Sequence, residues 1–210
     1  MADTTIASLT AHTSVISTDV IPITDVTNNV TKKITVANLI PSGINGILFK
    51  ALAADVTGSD VSTAQPWFPS TGSVAVAAAT SYFFEGLLYL TRAAGTTSHT
   101  TSLLFGGTAT LTAILYEALA ITGDTGANSA VNGTIINTAS ATVVKAASTS
   151  ATEVIAIQVK GIIRINAAGT LTPQFQYSAA PSGAPTVKSG SFFRLWPIGD
   201  NTVVTRGTWT

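Results

Sequence analysis

Cysteine is absent from this chain of 210 residues, and charged residues make up only 10% of it. Without thiols, neither disulfide bonds nor thiolate zinc sites can form. An average globular domain has roughly 25% charged residues, and those charges help to keep its surface from associating. The low charge, together with 46% hydrophobic residues, predicts that much of the surface lies against other protein.

The few charges that are present balance, with ten basic and ten acidic residues and a formal net charge of zero. Binding to nucleic acid through phosphates needs an excess of clustered Lys and Arg, but Lys32 and Lys33 are the only adjacent basic pair. Membrane attachment through a polybasic segment is equally unsupported. The longest apolar stretch, residues 103–121, is interrupted by Gly, Thr and Glu117, which favours buried sheet over a membrane-spanning helix. We expect neither a nucleic-acid partner nor a membrane.

Residues 1–40 differ from the rest because short apolar groups alternate there with Thr, Ser, Asp and Asn, without Phe, Tyr or Trp. Residues 21–26 are predicted to be extended, with Pro22 restricting them to a sheet edge. A turn at residues 27–29 and a return strand over 32–36 follow. So small an element cannot bury enough surface to stand alone, and we expect it to fold against a partner.

Residues 41–70 carry Gly, Pro and polar residues throughout, and we interpret them as a linker. Trp67 and Phe68 lie between two prolines there, an arrangement that predicts exposed aromatic rings. With Trp209 near the C-terminus, these rings are candidates for contact with a glycan on a distal surface.

The compact domain is expected over residues 71–210, where segments rich in Val, Ile, Thr, Tyr and Phe alternate with turn residues. Ile155, Ile157 and Val159 repeat at every second position and therefore predict one buried strand face. Gly161 is interpreted as a bulge that shifts this phase. The predicted strands cover residues 82–91, 98–105, 109–119, 130–139, 142–145, 154–165, 170–177 and 191–198. Without a long amphipathic helical stretch, this pattern favours an all-β fold, a jelly-roll-like β-sandwich.

The last predicted strand has large apolar groups on both faces. Phe193 and Leu195 share one face, and Phe192 and Trp196 share the other with an arginine. A sandwich buries only one face of each sheet, so the second face predicts an oligomer interface that includes this strand. The alternative is that the loop at residues 181–188 covers it.

The N-terminal sequence DVIPITDV (residues 19–26), followed by TKKITVANL (31–39), resembles a segment near the N-terminus of many tailed-bacteriophage structural proteins. In those proteins the segment commonly precedes a fibre, spike or decoration domain, which implies a role in attachment to the virion. The residues that carry this implied role are Ile21, Ile23, Asp25, Lys32, Lys33, Ile34, Val36 and Leu39.

The C-terminal half is similar to a phage module of another kind, matched by GTTSH (95–99), LFGGTA (104–109), GTLTPQF (169–175), YSAAP (177–181) and SFFRLWPIG (191–199). The resemblance implies a trimeric β-domain on fibres or capsid surfaces. Neither long heptads nor a glycine-repeat shaft lies between the two parts, which favours a compact protein.

Together, the resemblances imply a non-enzymatic virion structural protein of the capsid decoration or head-fibre type, located on the virion surface. The N-terminus would dock onto the major capsid protein or onto a tail or baseplate protein, and a homotrimer would be displayed outward. The alternative is a short tail-fibre or baseplate adhesin that binds a host surface glycan.

Enzymatic chemistry finds little support in the sequence. Ser98 and His99 are adjacent, but neighbours on a strand point to opposite faces and cannot easily share a proton. His99 is therefore interpreted as a surface or strand-end residue, and His12 lacks a metal-binding neighbour.

Three strand carboxylates, Glu85, Glu117 and Glu153, are the only candidates for glycan hydrolysis. We interpret Glu85 and Glu117 instead as partners of Arg92 or Arg164, or as solvent-facing residues at a trimer seam. The turn at residues 123–128 has too few carboxylates for calcium. We expect no catalytic residue, no cofactor and no metal ion.

Overall fold

The computed structural model describes residues 20–25, 30–35, 47–68, 72–123 and 130–202, and every helix or strand assigned there is a β-strand. No helix in these ranges is long and apolar enough to cross a membrane. In chain order, the strands are β1 (Val20–Asp25), β2 (Val30–Thr35), β3 (Leu48–Ala51), β4 (Val56–Thr57), β5 (Gln65–Pro66), β6 (Val74–Val76), β7 (Thr80–Arg92), β8 (His99–Gly106), β9 (Thr110–Thr122), β10 (Ala130–Ile136), β11 (Thr142–Ser148), β12 (Glu153–Ala167), β13 (Gly169–Tyr177), β14 (Thr186–Val187) and β15 (Phe192–Asp200).

The chain divides into two compact units, residues 1–46 and 47–210. In the first unit, β1 and β2 form an antiparallel pair in which Val20 lies opposite Thr35 and Asp25 lies opposite Val30. The extended piece and its return strand are thus confirmed. The turn predicted at residues 27–29 lies outside the described residues.

The second unit is a sandwich of two antiparallel sheets, which confirms the predicted fold class. The larger sheet has the order β3-β15-β7-β12-β9-β10, and β14 and β4 continue it beside the end of β7. The smaller sheet has the order β11-β8-β13, and both β5 and β6 pair with β13. Strands of the two sheets alternate along much of the chain, so most connections pass from one sheet to the other.

The strand pairs between β7 and β12 are nested. β9 pairs with the next strand, β10; β8 pairs with β11; and β7 pairs with β12. The nested pairs fall alternately in the larger, the smaller and again the larger sheet. Rolling one long hairpin into two packed sheets gives this arrangement, which is the topology of a jelly roll.

The sandwich begins at Ile47 rather than near residue 71, so the predicted linker is wrong over much of its length. β3 is an edge strand paired with β15, and β5 pairs with β13. Trp67 and Phe68 are only 1% and 2% exposed, because Trp67 packs edge-on against the ring of Phe193 at 5.9 Å between centroids. Two-residue strands between polar turns resemble a linker in sequence, which explains the error.

The core lies between the sheets and is filled by alternate residues of the long strands. In β7, Tyr82, Phe84, Gly86, Leu88 and Leu90 are buried, and the residues that alternate with them are only partly buried. Burying a side chain of this kind stabilises the fold by about 1.5–3 kcal/mol. The alternation in β12 is also confirmed, since Ile155, Ile157 and Val159 are all buried.

Gly161 does not form the predicted bulge, because β12 pairs with β7 without a break from Glu153 to Ile165. The register shifts between β12 and β9 occur later, between Arg164 and Ala167. Gly161 faces the core between Phe84 and Tyr116, whose ring centroids are 5.7 Å apart. A glycine at this position leaves room for the two rings to meet over the middle of the sheet.

We expect Gly161→Ala to destabilise the sandwich by about 2 kcal/mol or more, the cost of overpacking a core. A Cβ at this position would lie 2.3 Å from Cβ of Tyr116 and 2.4 Å from the backbone oxygen of Leu115. Gly133→Ala in β10 is the matched control, since its Cβ would meet only Cδ2 of Leu119 at 3.4 Å. Chemical denaturation of both variants measures the difference, and equal stabilities would contradict this role of Gly161.

Candidate functional site

The outward surface of the larger sheet, called here the outer face, is unusually apolar. Ile135 is 83% exposed and Leu115 is 58% exposed. Most of the exposed large hydrophobic residues in the described ranges lie on this face: Phe49, Leu115, Leu119, Val131, Ile135 and Ile162. Exposed apolar patches of this kind mark interaction sites in soluble proteins.

A row of four charged residues crosses the middle of the outer face, one residue on each of β15, β7, β12 and β9. Arg194 lies opposite Glu85, Glu85 lies opposite Lys160, and Lys160 lies opposite Glu117. We call these four residues the charge row. Its signs alternate from one strand to the next, and Nε of Arg194 donates to Oε1 of Glu85 at 2.6 Å. Within the described part of the chain, Lys160 and Glu117 form no ion pair.

Two mainly apolar rows run beside the charge row, two residues away along each strand. One consists of Trp196, Phe83, Ile162 and Leu115, and the other of Phe192, Leu87, Gln158 and Leu119. The rings of Phe83 and Trp196 contact each other at 4.7 Å between centroids. Nζ of Lys160 lies 5.8 Å from the centroid of Phe83, so the charge row and this apolar row are packed together.

The predicted interface residues on β15 divide between the two faces of the sheet. Phe192 and Trp196 lie on the outer face, whereas Phe193 and Leu195 are core residues, 3% and 1% exposed. The predicted alternation is confirmed, but Phe193 and Leu195 are already buried within the chain, so their inclusion in an interface was wrong. The loop at residues 181–188 extends the larger sheet through β14, which pairs with β7 and β4.

The predicted distal-contact and attachment residues lie in the core, in the N-terminal unit or outside the described residues. Trp67 and Phe68 are buried, so their proposed role in distal contact is wrong, and Trp209 lies outside the described residues. Of the predicted attachment residues, Val36 and Leu39 also lie outside the described residues. The remaining six lie on the two strands of the N-terminal unit: Ile21, Ile23, Asp25, Lys32, Lys33 and Ile34.

A buried ionic cluster, which sequence reasoning missed, lies where β7 ends and β12 begins. Oε2 of Glu153 accepts from Nε and Nη2 of Arg92 at 3.0 and 2.9 Å, and Oε1 accepts from Nζ of Lys145 at 2.7 Å. His99 Nε2 also lies 3.0 Å from Oε2. All four side chains are buried, so we call Arg92, His99, Lys145 and Glu153 the buried cluster.

His99 is fully enclosed, which corrects its interpretation as a surface residue but leaves it at the start of a strand. Its Nδ1 lies 2.8 Å from the carbonyl oxygen of Thr97, and its Nε2 faces the Glu153 carboxylate. Both partners can only accept, so an imidazolium that donates from both nitrogens satisfies this geometry. Ser98 is exposed, so the two residues point to opposite sides as predicted.

The electrostatics of Glu153 reflect a competition between burial and hydrogen bonding. Burial is the largest single influence and would raise the pKa of the carboxyl group. Hydrogen bonds from Lys145, Ser148 and Arg92 together outweigh it and lower the pKa to about 2. The carboxylate therefore stays ionised and acts as the hub that holds the side chains of Arg92, Lys145 and His99 together.

The three strand carboxylates lie in two places, Glu153 in the buried cluster and Glu85 and Glu117 on the outer face. Glu153 is held in the buried cluster with Arg92 as its partner, while Glu85 pairs with Arg194 on the outer face. Glu85 was expected to pair with Arg92 or Arg164, or to face solvent. The pairing with either of those arginines is wrong, because the partner of Glu85 is Arg194. Among the described residues, no group of three or more His, Asp or Glu side chains could hold a metal ion.

No known protein family matches this chain, and no curated protein is similar to it.

We expect Glu153→Gln to lower the unfolding free energy by about 3–5 kcal/mol, since it leaves buried cations without their counter-charge. For a unit of this size, that corresponds to a fall in melting temperature on the order of 10 °C. Asp55→Asn is the matched control, because Asp55 forms an exposed ion pair with Lys188 and exposed pairs contribute little. Calorimetry of both variants measures the effect, and similar melting temperatures would contradict a stabilising role for the buried cluster.

The stability of the wild-type chain should also depend on acid pH through Glu153. Its pKa is about 2 in the folded chain against an ordinary value of 4.5, so the folded state binds this proton more weakly. The resulting stability is fully present above pH 4.5 and is lost as the pH falls towards 2, a change of roughly 3 kcal/mol. Denaturation at a series of pH values should show this loss in wild type and a smaller loss in Glu153→Gln. Parallel profiles would contradict the assignment.

Proposed function

We propose that the chain is a non-enzymatic structural protein of a bacteriophage virion, of the capsid decoration or head-fibre type. Its N-terminal unit docks onto the major capsid protein, and its sandwich is displayed outward as a homotrimer. The trimer comes from the resemblance of the C-terminal half to trimeric phage β-modules. The location on the virion surface comes from the resemblance of the N-terminal segment to phage attachment segments.

The outer face is the observation that carries the proposal. A six-strand surface that exposes Leu115, Ile135 and Phe49 to water is unfavourable for a chain that acts alone. Covering it with other copies of the chain removes that cost. It also explains why a chain with so few charges does not need them for solubility.

The N-terminal unit supports a docking role on physical grounds. A two-stranded hairpin such as β1–β2 is at best marginally stable in water without further packing. The pair is therefore expected to gain its stability from another protein, and in a virion the neighbours are capsid, tail or baseplate proteins.

The burial of Trp67 and Phe68 favours this proposal over the adhesin. Glycan-binding sites use exposed aromatic faces, and two of the three rings considered for that role are in the core. The short tail-fibre or baseplate adhesin therefore ranks second.

Gold-labelled antibody against this chain, viewed on intact particles in the electron microscope, tests the location. We expect label spread over the capsid. Label confined to the tail would replace the decoration role by the adhesin, and particles without label would overturn the proposal.

The docking role is tested by the double variant Ile21→Asp/Ile34→Asp, which places two carboxylates opposite each other in the β1–β2 pair. Like charges directly opposite each other destabilise a strand pair. We expect the variant to be lost from particles while its oligomeric state in solution is unchanged. Val143→Asp, on the exposed surface of the smaller sheet, is the control and should be incorporated normally. Normal incorporation of the double variant would contradict docking through this unit.

A further inference from the structure

We propose that copies of this chain associate through the outer face around a symmetry axis that runs parallel to the strands and passes between β7 and β12. Each seam then pairs Glu85 of one copy with Lys160 of the next, and Arg194 with Glu117. The inference deepens the proposed function, on which it rests for the expectation of a homo-oligomer. The surface, the direction of the axis and the charge pairs come from the geometry of the sheet.

The charges of the charge row alternate in sign around a midpoint. Read from β15 to β9, the signs are plus, minus, plus and minus, and the midpoint lies between Glu85 on β7 and Lys160 on β12. Residues at equal distances on either side of the midpoint therefore carry opposite charges. Glu85 and Lys160 form the inner pair, and Arg194 and Glu117 form the outer pair.

This antisymmetry selects one direction for the axis. When the axis is parallel to the strands at the midpoint, the left half of one face meets the right half of the next. Glu85 then faces Lys160, and Arg194 faces Glu117, whether two or three copies surround the axis. An axis along the charge row would instead place every residue opposite its own copy, and like charges would meet at all four positions.

The apolar rows obey the same geometry, because an axis along the strands keeps each row at its own level. In one row, Phe83 meets Ile162 and Trp196 meets Leu115. In the other row, Phe192 meets Leu119, and Leu87 meets Gln158 in the only mixed contact. The rows that flank the charge row therefore match across the same seam.

The two kinds of row make different contributions to association. Burial of the apolar rows supplies the favourable free energy. Ion pairs that become buried gain little net affinity, because desolvation opposes their attraction, but like-charge contacts cost several kcal/mol and exclude wrong arrangements. The charge row thus determines the symmetry, and the apolar rows determine the strength.

The position of the proposed axis agrees with the shape of the sheet. At the level of the charge row, the midpoint has three strands on either side, β3, β15 and β7 on one and β12, β9 and β10 on the other, while β14 and β4 lie beside the far end of β7. A depression of about 260 Å³ lies over the charge row, bordered by Glu85, Leu87, Leu119 and Lys160. Side chains of a neighbouring copy can enter this depression close to the axis.

The test rearranges the charges of the full-length chain without changing their number. Lys160→Glu/Glu117→Lys, the first swap, leaves the Arg194–Glu85 pair within each chain intact but makes the row symmetric, plus, minus, minus and plus. Like charges then meet at both positions of every seam. Native mass spectrometry and light scattering over a dilution series measure the dissociation constant, which we expect to rise roughly 100-fold or more.

A second swap, Arg194→Glu/Glu85→Lys, should disrupt association to a similar extent. Combining both swaps gives minus, plus, minus and plus, which restores opposite charges across every seam, and association should return to within about tenfold of wild type. Circular dichroism shows whether each variant is folded. Val143→Lys is the surface control and Leu115→Lys is the apolar-row test, which should weaken association while the control does not.

Mixing the two swaps reveals the number of copies. In a pair, each seam joins complementary halves, so a one-to-one complex should form from two variants that do not self-associate. In a ring of three, one seam always joins two identical variants, so the mixture should assemble poorly. The homotrimer of the proposed function predicts the second result.

Several outcomes would overturn the inference. A monomeric wild type would overturn it, as would a first swap that associates as tightly as wild type. Failure of the combined variant to reassociate, although folded, would show that the charges do not pair as stated. Particles that carry the protein while the swaps assemble normally would refute this inference alone, whereas swaps that behave as expected on a protein that particles lack would refute only the virion role.

Discussion

The larger sheet is apolar on both faces, and most of the remaining architecture depends on that constraint. Its inner face carries Phe84, Leu88 and Ile157 and is covered by the smaller sheet, as in any sandwich. Its outer face carries Phe83, Leu87 and Ile162 on the same strands. The smaller sheet packs against the inner face and therefore cannot cover the outer one. The rolled hairpin of β7 to β12 completes one core. A second copy of the same surface can complete the other.

How much of this could be predicted from the sequence depends on how far apart the cooperating residues lie in the chain. The strand at Val154–Ile165 and the two-sided strand at Phe192–Trp196 were predicted because alternation is a local signal. Trp67 and Phe68 were wrongly predicted to be exposed, because β5 exists only through its pairing with β13. That pairing joins residues more than a hundred positions apart, and the sequence around Trp67 does not indicate it.

The two charged assemblies were missed for the same reason. Glu85, Glu117, Lys160 and Arg194 become a row only when the register of four strands is known, and a one-residue slip in any strand would move its charge to the other face. Arg92, His99, Lys145 and Glu153 converge from four strands on one end of the sandwich. The three carboxylates, Glu85, Glu117 and Glu153, were singled out from the sequence because they lie within apolar strands, but the arginine partners expected for Glu85 were wrong. The residue type marked these carboxylates as unusual, but their spacing in the sequence did not indicate which residues they contact.

Because the chain has few charged residues, each of these two charged assemblies can favour one specific arrangement. In the buried cluster, one carboxylate is surrounded by cationic side chains on neighbouring strand ends, and a buried charge that is fully hydrogen-bonded favours one packing arrangement of those ends. In the charge row, similar side chains remain accessible. Their order across four strands would restrict how two copies can pair, which a single ion pair could not do. On a surface with many charges this restriction would be lost, because many alternative registers would bring opposite charges together. With few charges, a wrong arrangement of copies would bring like charges together at the centre of the contact, and few other charges lie nearby to compensate. The composition that first suggested association is therefore also what allows association to be specific.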